Sequence, residues 1–246
     1  MALSAATQPR RDAFVELRAT LAGAHGAASP EAFTLAEEAV LRTGFPALDA
    51  ALGGGVPRGI IATLEGASGS GRSAVAARLL AGATLGGGLG ALIESPTGVE
   101  GSLYPPSLAA AGVDLNRLLV VPAQDAGGAA RAADVLLRAA AFGLIVIPAL
   151  TLPAVAWTRL AGLAHRSNDV LLALGLEASD ELRYFASLRV RLRPREVRWA
   201  GAGGLFRALA GADVEATVLK HKRAAPGRSA ALRCTWLEAA APGAAV

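Results

Sequence analysis

The 246-residue chain holds a single cysteine, Cys234, so no disulfide can form within it and a disulfide-stapled scaffold is excluded. Its three histidines, His25, His165 and His221, are too scattered to give metal-ligand spacing with that one thiol. No Ser-His-Asp arrangement can be read from them either. Met1 to Arg11 lacks the apolar run of a secretory signal. The uncharged stretch Ala139 to Thr158 is interrupted by Gly143, Pro148, Thr151 and Pro153, so it reads as a buried strand between two helices rather than a membrane span. Charged residues are only 18% of the chain against 53% hydrophobic, with 29 glycines and 13 prolines, which excludes a wholly disordered chain and a collagen-like repeat. These absences predict a soluble protein of a reducing cytoplasm.

Lysine is the other scarcity. Of 24 basic residues, only Lys220 and Lys222 are lysines, and the net charge is +4. In a chain so rich in alanine and arginine, an arginine surface says little. Two lysines one residue apart say more, because an ammonium and a guanidinium are not interchangeable.

What is present is an α/β pattern long enough for one domain with a real core. Residues 1–42 read as an N-terminal helical appendage and linker. Phe14, Leu17 and Leu21 follow helical spacing, and Gly23 to Pro30 is a Gly/Ala/Ser/Pro linker. From Thr43 onward, with residues 43–237 read as the core, apolar strands alternate with helices, the strands being Ile60–Leu64, Gly90–Ile93, Leu118–Val121, Leu144–Ile147 and Val170–Leu174. Helices are predicted over Ser73–Ala83, Ser107–Ala111, Ala129–Ala141 and Val155–His165. Repeated βα units of this kind predict a mostly parallel sheet covered by helices on both faces. After Leu182 strand follows strand, with turn signals at Pro194-Arg195 and Gly201–Gly204, so an antiparallel C-terminal extension is expected. The core should end at residue 237, and residues 238–246 read as a flexible tail.

Gly66-Ala67-Ser68-Gly69-Ser70-Gly71-Arg72-Ser73 fits the phosphate-loop pattern G-x-x-x-x-G-K-[ST], with strand before and helix after, except that Arg72 replaces the lysine. The glycines permit a loop whose amides surround a phosphate, and Ser73 can ligate Mg²⁺. A flat guanidinium cannot take the place of a compact ammonium between terminal phosphates. Two readings stand: a nucleotide loop, or a glycine turn that no longer holds nucleotide.

The segment Thr43 to Gly59 resembles the lead-in of RecA-type recombinase cores. In the same order, Ala111–Leu119, Arg159–Asn168, Leu182–Arg189 and Leu219-Lys220-His221-Lys222-Arg223-Ala224-Ala225-Pro226 also resemble RecA. The resemblance covers about residues 43 to 237 and implies a RecA-like P-loop core. Within the superfamily the chain resembles the ImuA family of inducible mutagenesis cassettes, through Gly53 to Gly59 and Tyr104-Pro105-Pro106-Ser107-Leu108. That likeness implies a role in the SOS response, in damage-induced translesion DNA synthesis and mutagenesis. It implies a RecA filament and an ImuB-like polymerase-family protein as partners, DNA as a further one, and a bacterial, nucleoid-associated location.

Measured against RecA, the position of the water-activating glutamate falls on Pro96, two residues after Glu94. The aspartate closing the second phosphate-site strand is replaced by Pro148, and the glutamine that reports nucleotide state falls near Leu176. Both DNA-binding loops look short. The resemblance therefore implies a pseudo-ATPase with no catalytic residues, no bound metal and no required cofactor, or at most weak ATP/Mg²⁺ binding. The alternatives are a divergent DNA-dependent ATPase of recombinase type and a subunit that senses nucleotide without cleaving it.

The family's paired lysines reach across the subunit boundary to a neighbour's ATP, which implies the same trans-acting role for Lys220 and Lys222. On a strand they would share one face, His221 taking the other. The plainer reading is a solvated strand edge guarded by lysine. Leu188 to Arg193 alternates strictly, so Arg189, Arg191 and Arg193, with Arg183 beside them, form either a DNA- or partner-binding patch or an ordinary solvated face. The Phe14/Leu17/Leu21 stripe docks either on its own core or on a neighbouring subunit. Cys234 reads as a packed thiol.

Overall fold

The computed structural model describes residues 40–95, 104–200 and 208–235, all within the compact unit that spans residues 39–246. The Phe14/Leu17/Leu21 stripe, the position of Pro96, the Gly201–Gly204 turn and the tail lie outside the described residues.

The first elements are β1 (Val40–Leu41), α1 (Pro46–Leu52), β2 (Val56–Pro57) and β3 (Ile61–Glu65). β1 pairs antiparallel with β2, inside the stretch read from sequence as the edge of a linker. Next come α2 (Arg72–Thr84), β4 (Gly90–Glu94), α3 (Pro105–Ala110), β5 (Leu118–Pro122), α4 (Ala126–Ala139), β6 (Leu144–Pro148), α5 (Ala154–Ser167) and β7 (Val170–Gly175). The described chain closes with α6 (Asp180–Phe185), β8 (Leu188–Ala200), β9 (Ala208–His221) and β10 (Ser229–Thr235).

Among the described residues, eight strands form one sheet in the order β10-β9-β8-β3-β7-β6-β4-β5. β3 is parallel to both β7 and β8, the pairs β6–β7, β4–β6 and β4–β5 are parallel, and β9 and β10 run antiparallel. This is the expected α/β architecture with its antiparallel extension. β6 and β7 are buried at every position, as strands covered on both faces must be. On one face Ala62, Leu64, Val146, Leu172, Leu188, Val190, Leu192 and Val214 join a core with Val75, Ala76, Leu79 and Leu80 of α2. The other face is covered by α4, which lies against β4 and β6 and packs on α5.

Local chemistry sets the helix ends. Pro46 and Pro105 occupy the first turns of α1 and α3, where a missing N–H costs nothing. Asp125 accepts from Gly128 N–H at the start of α4, and Ser179 accepts from Leu182 N–H at the start of α6.

Two expectations need correction. Residues past Leu182 are not all strand: α6 runs to Phe185 on its Ser179 cap. Pro194-Arg195 is not a turn either. β8 runs through it to Ala200, and the register slips between Pro194 and Glu196, so a bulge absorbs the proline and lets Arg195 fall out of pairing.

Candidate phosphate loop and its charged surround

The glycine loop leaves the C-terminal end of β3 and enters α2. Gly66, Gly69 and Gly71 have φ of 157°, 76° and 91°, values that L side chains rarely adopt, and Gly71 caps the helix. Ser70 N–H donates to Ala67 O, and Gly66 N–H is shared by Gly175 O and Leu176 O at 3.1 Å each, which ties the loop to the end of β7. Neighbouring strands wall the loop. A Cβ on Gly66 would collide with Leu192 O, and one on Gly71 would lie 3.0 Å from Val214 Cγ2 and 3.6 Å from Cys234 Sγ.

The backbone thus suits a phosphate: a turn built from positive-φ glycines at the N-terminus of a 13-residue helix. Its side chains are less open. Arg72 is only 3% exposed, so its guanidinium is enclosed by protein, and Ser70 Oγ is buried without a hydrogen-bond partner. Ser73 follows in the first turn of α2. β6 is buried to its last residue, Pro148, and carries no carboxylate. Glu94 ends β4. Among the described residues no group of three or more His, Cys, Asp or Glu side chains could hold a metal ion. Cys234 is buried beside the loop, and burial raises its thiol above the usual range.

Glu65, the last residue of β3, was not singled out from the sequence. It is 1% exposed. Arg189 grips it with both arms, Nε to Oε1 at 2.7 Å and Nη2 to Oε2 at 2.9 Å, and Thr63 Oγ1 donates to Oε1 at 2.8 Å. Burial alone would raise this carboxyl, but the hydrogen bonds from Arg189 and Thr63 and the charges of Arg189 and Arg191 outweigh it, so it sits below the ordinary value. One signal was available. Glu65 is the only charge in the strand before the glycines, and the register places it opposite Arg191 with Thr63 opposite Arg189.

The four-arginine patch is therefore not a uniform basic surface. Arg189 is spent on Glu65. Arg183 pairs with Glu177 at 2.7 Å and Asp180 at 3.3 Å. Arg191 lies 3.6 Å from Glu177 and 3.9 Å from Glu65, beyond hydrogen-bonding range. Arg193 is exposed with no ion pair among the described residues.

The two lysines separate as well. β9 ends at His221, so Lys222 stands in the following turn and not on a shared strand face. Lys220 Nζ donates to Arg183 O at 2.7 Å and Tyr184 O at 2.9 Å, the carbonyls at the end of α6. Its ammonium is lowered from the usual range by burial and by the charges of Lys222 and Arg189. Lys222 is exposed, and its backbone N–H donates to Ser187 O.

Comparison with known proteins locates the fold. The family described as RecA N-terminal domain matches residues 33–161. Protein RecA of Picosynechococcus sp. is 30% identical over 229 residues, which cover 78% of this chain and 64% of that protein. Protein RecA of Salinispora tropica is 40% identical over 112 residues, 45% of this chain and 31% of that one. The chain thus spans less than two thirds of the length of these relatives. A crystal structure of the RadB recombinase superposes with a TM-score of 0.61 at 20% identity, over 80% of this chain and 96% of that chain, which is a likeness of fold.

Proposed function

The chain belongs to the RecA family, and from that premise we propose that it is a non-hydrolysing accessory member, ImuA-like, acting in damage-induced translesion synthesis through binding to a RecA filament and an ImuB-like partner. The observation that carries the reading is Arg72. The one loop position that calls for a compact ammonium holds an enclosed guanidinium, 3% exposed. Pro148 at the end of β6 supports it, because phosphoryl transfer depends on positioned charge and that strand end supplies none.

If the loop holds ATP at all, Gly66 to Ser73 are the residues that would hold its phosphates. ATP supplies a transferable phosphoryl group when bound, and in this reading nothing in the chain uses it. What remains is the edge with the two lysines. Lys222, exposed beside the anchored Lys220, is the group able to reach a phosphate at the end of a neighbouring filament, so that the added subunit blocks further growth.

The test pairs two assays on the purified chain. ATP turnover, with and without single-stranded DNA, should stay at background, and Arg72→Lys alone should not restore it. Co-sedimentation with ATP-bound RecA filaments should retain the chain. Turnover stimulated by single-stranded DNA would instead establish the alternative, a divergent DNA-dependent ATPase of recombinase type.

A further inference from the structure

Along the outward face of β8, three arginines differ in how far their charge is met. Arg189, 15% exposed, is fully engaged by buried Glu65. Arg191, 32% exposed, has two carboxylates near it and a hydrogen bond to neither. Arg193, two residues further on, is exposed and unpaired among the described residues. Arg183 reaches the same place from α6. A single atom, Glu177 Oε1, lies 2.7 Å from Arg183 Nη2 and 3.6 Å from Arg191 Nη2. Arg183 Nε is buried and makes no hydrogen bond. Two guanidinium groups thus converge on one oxygen, while Arg183 also holds Asp180 through Nη1 at 3.3 Å.

We propose that Arg183, Arg191 and Arg193 form a phosphate-binding site, and that the chain's own Glu177 is the latch that occupies it until a phosphate group displaces it. The chemistry favours phosphate over a second carboxylate. A phosphate offers an oxygen to each guanidinium, whereas Glu177 satisfies one well and the other poorly. Arg193, about 7 Å along the strand from Arg191, extends the site to a neighbouring phosphate. The latch is cheap to open. Glu177 is 59% exposed and lies in the short link between β7 and α6, so its pairing is that of a surface ion pair. Arg189 takes no part, because freeing it would strand Glu65 in the interior. The inference goes beyond the function proposed above and needs neither hydrolysis nor filament binding.

The phosphate can come from a nucleic-acid backbone or from a free polyphosphate, and the experiment separates them. Fluorescence anisotropy with a labelled oligothymidylate, and competition by inorganic tripolyphosphate, are measured for the parent, Glu177→Gln, Glu181→Gln and the triple variant Glu177→Gln/Arg183→Gln/Arg191→Gln. Glu181 is exposed and bears no ion pair among the described residues, so its variant adds the same charge without freeing an arginine. We expect Glu177→Gln to bind about fivefold tighter than both the parent and Glu181→Gln, with the gain shrinking as salt rises. The triple variant should lose the gain. Tightening toward both probes assigns the site to a nucleic-acid backbone, and tightening toward tripolyphosphate alone assigns it to a free polyphosphate. If Glu177→Gln matches Glu181→Gln on both probes, or the gain survives in the triple variant, the site does not exist.

Discussion

Two buried acids, Glu65 and Asp169, stand at opposite ends of the parallel strands and have opposite electrostatics. Glu65 is held below the ordinary carboxylate range by the fork of Arg189. Asp169, just before β7, is 4% exposed, and one of its oxygens, Oδ2, has no hydrogen-bond partner. Burial pushes it up from 3.8 to about 7, and the Ser167 hydroxyl and the charge of Arg58 offset only part of that. The folded chain therefore holds a proton that the unfolded chain has released between these values. Stability linked to Asp169 is full below pH 4, falls as pH rises toward 7, and levels off above it. Asp169→Asn should remove this slope, matching the parent near pH 4 and exceeding it at pH 8 by roughly 2–4 kcal/mol. Urea unfolding at several pH values measures it, and an unchanged slope in the variant would show that Asp169 is not its source.

At the scale of elements, the glycine loop is fixed by the strands around it as much as by its own turns. Gly66 tests this: its N–H is shared by two carbonyls at the end of β7, and a Cβ added to it would collide with Leu192 O of β8. Gly66→Ala must move backbone, with Ser70 Oγ a further obstacle 2.7 Å from the new methyl, so a loss of about 2–3 kcal/mol is expected in thermal unfolding. Gly69→Ala meets no atom within 4 Å and should cost only its positive-φ strain, about 1 kcal/mol. The contrast also marks what was legible in the sequence. Apolar runs such as Leu144–Ile147 announce themselves, because a strand buried on both faces tolerates nothing polar. The glycine turn at the start of α2 was legible because its glycines answer to local φ. Helix α6 was missed because six residues with one buried side chain, Leu182, carry no period. The Pro194 bulge was missed because a proline that turns a chain and one that kinks a paired strand look alike in one dimension. The pairing of Glu65 with Arg189 spans 124 residues, and only the β3–β8 register brings the two together.

For the whole molecule, charge is distributed by folding and not by count. Among the described residues, cations are met by Glu65, Glu177, Asp180 and Asp213, whereas Arg193 and Lys222 have no ion pair. Lys220 and Lys222 are the chain's two lysines, yet the fold gives them separate tasks. Lys220 satisfies the last carbonyls of α6, where a cation is favoured by the helix dipole, so its ammonium is held within its own chain. Lys222 is exposed in the turn after β9, with no ion pair among the described residues. If filament capture runs through this edge, the two must behave differently when truncated. Lys220→Ala should lower the melting temperature by a few degrees through loss of two charged hydrogen bonds, and weaken capture only as α6 loosens. Lys222→Ala should leave the melting temperature unchanged and weaken co-sedimentation with ATP-bound RecA filaments about fivefold, more at low salt than at high. Lys222→Arg should recover only part of that loss, because it keeps the charge but replaces a compact ammonium with a larger planar group. Capture by Lys222→Ala equal to that of the parent would remove this edge from the interface, whatever the chain's affinity for RecA.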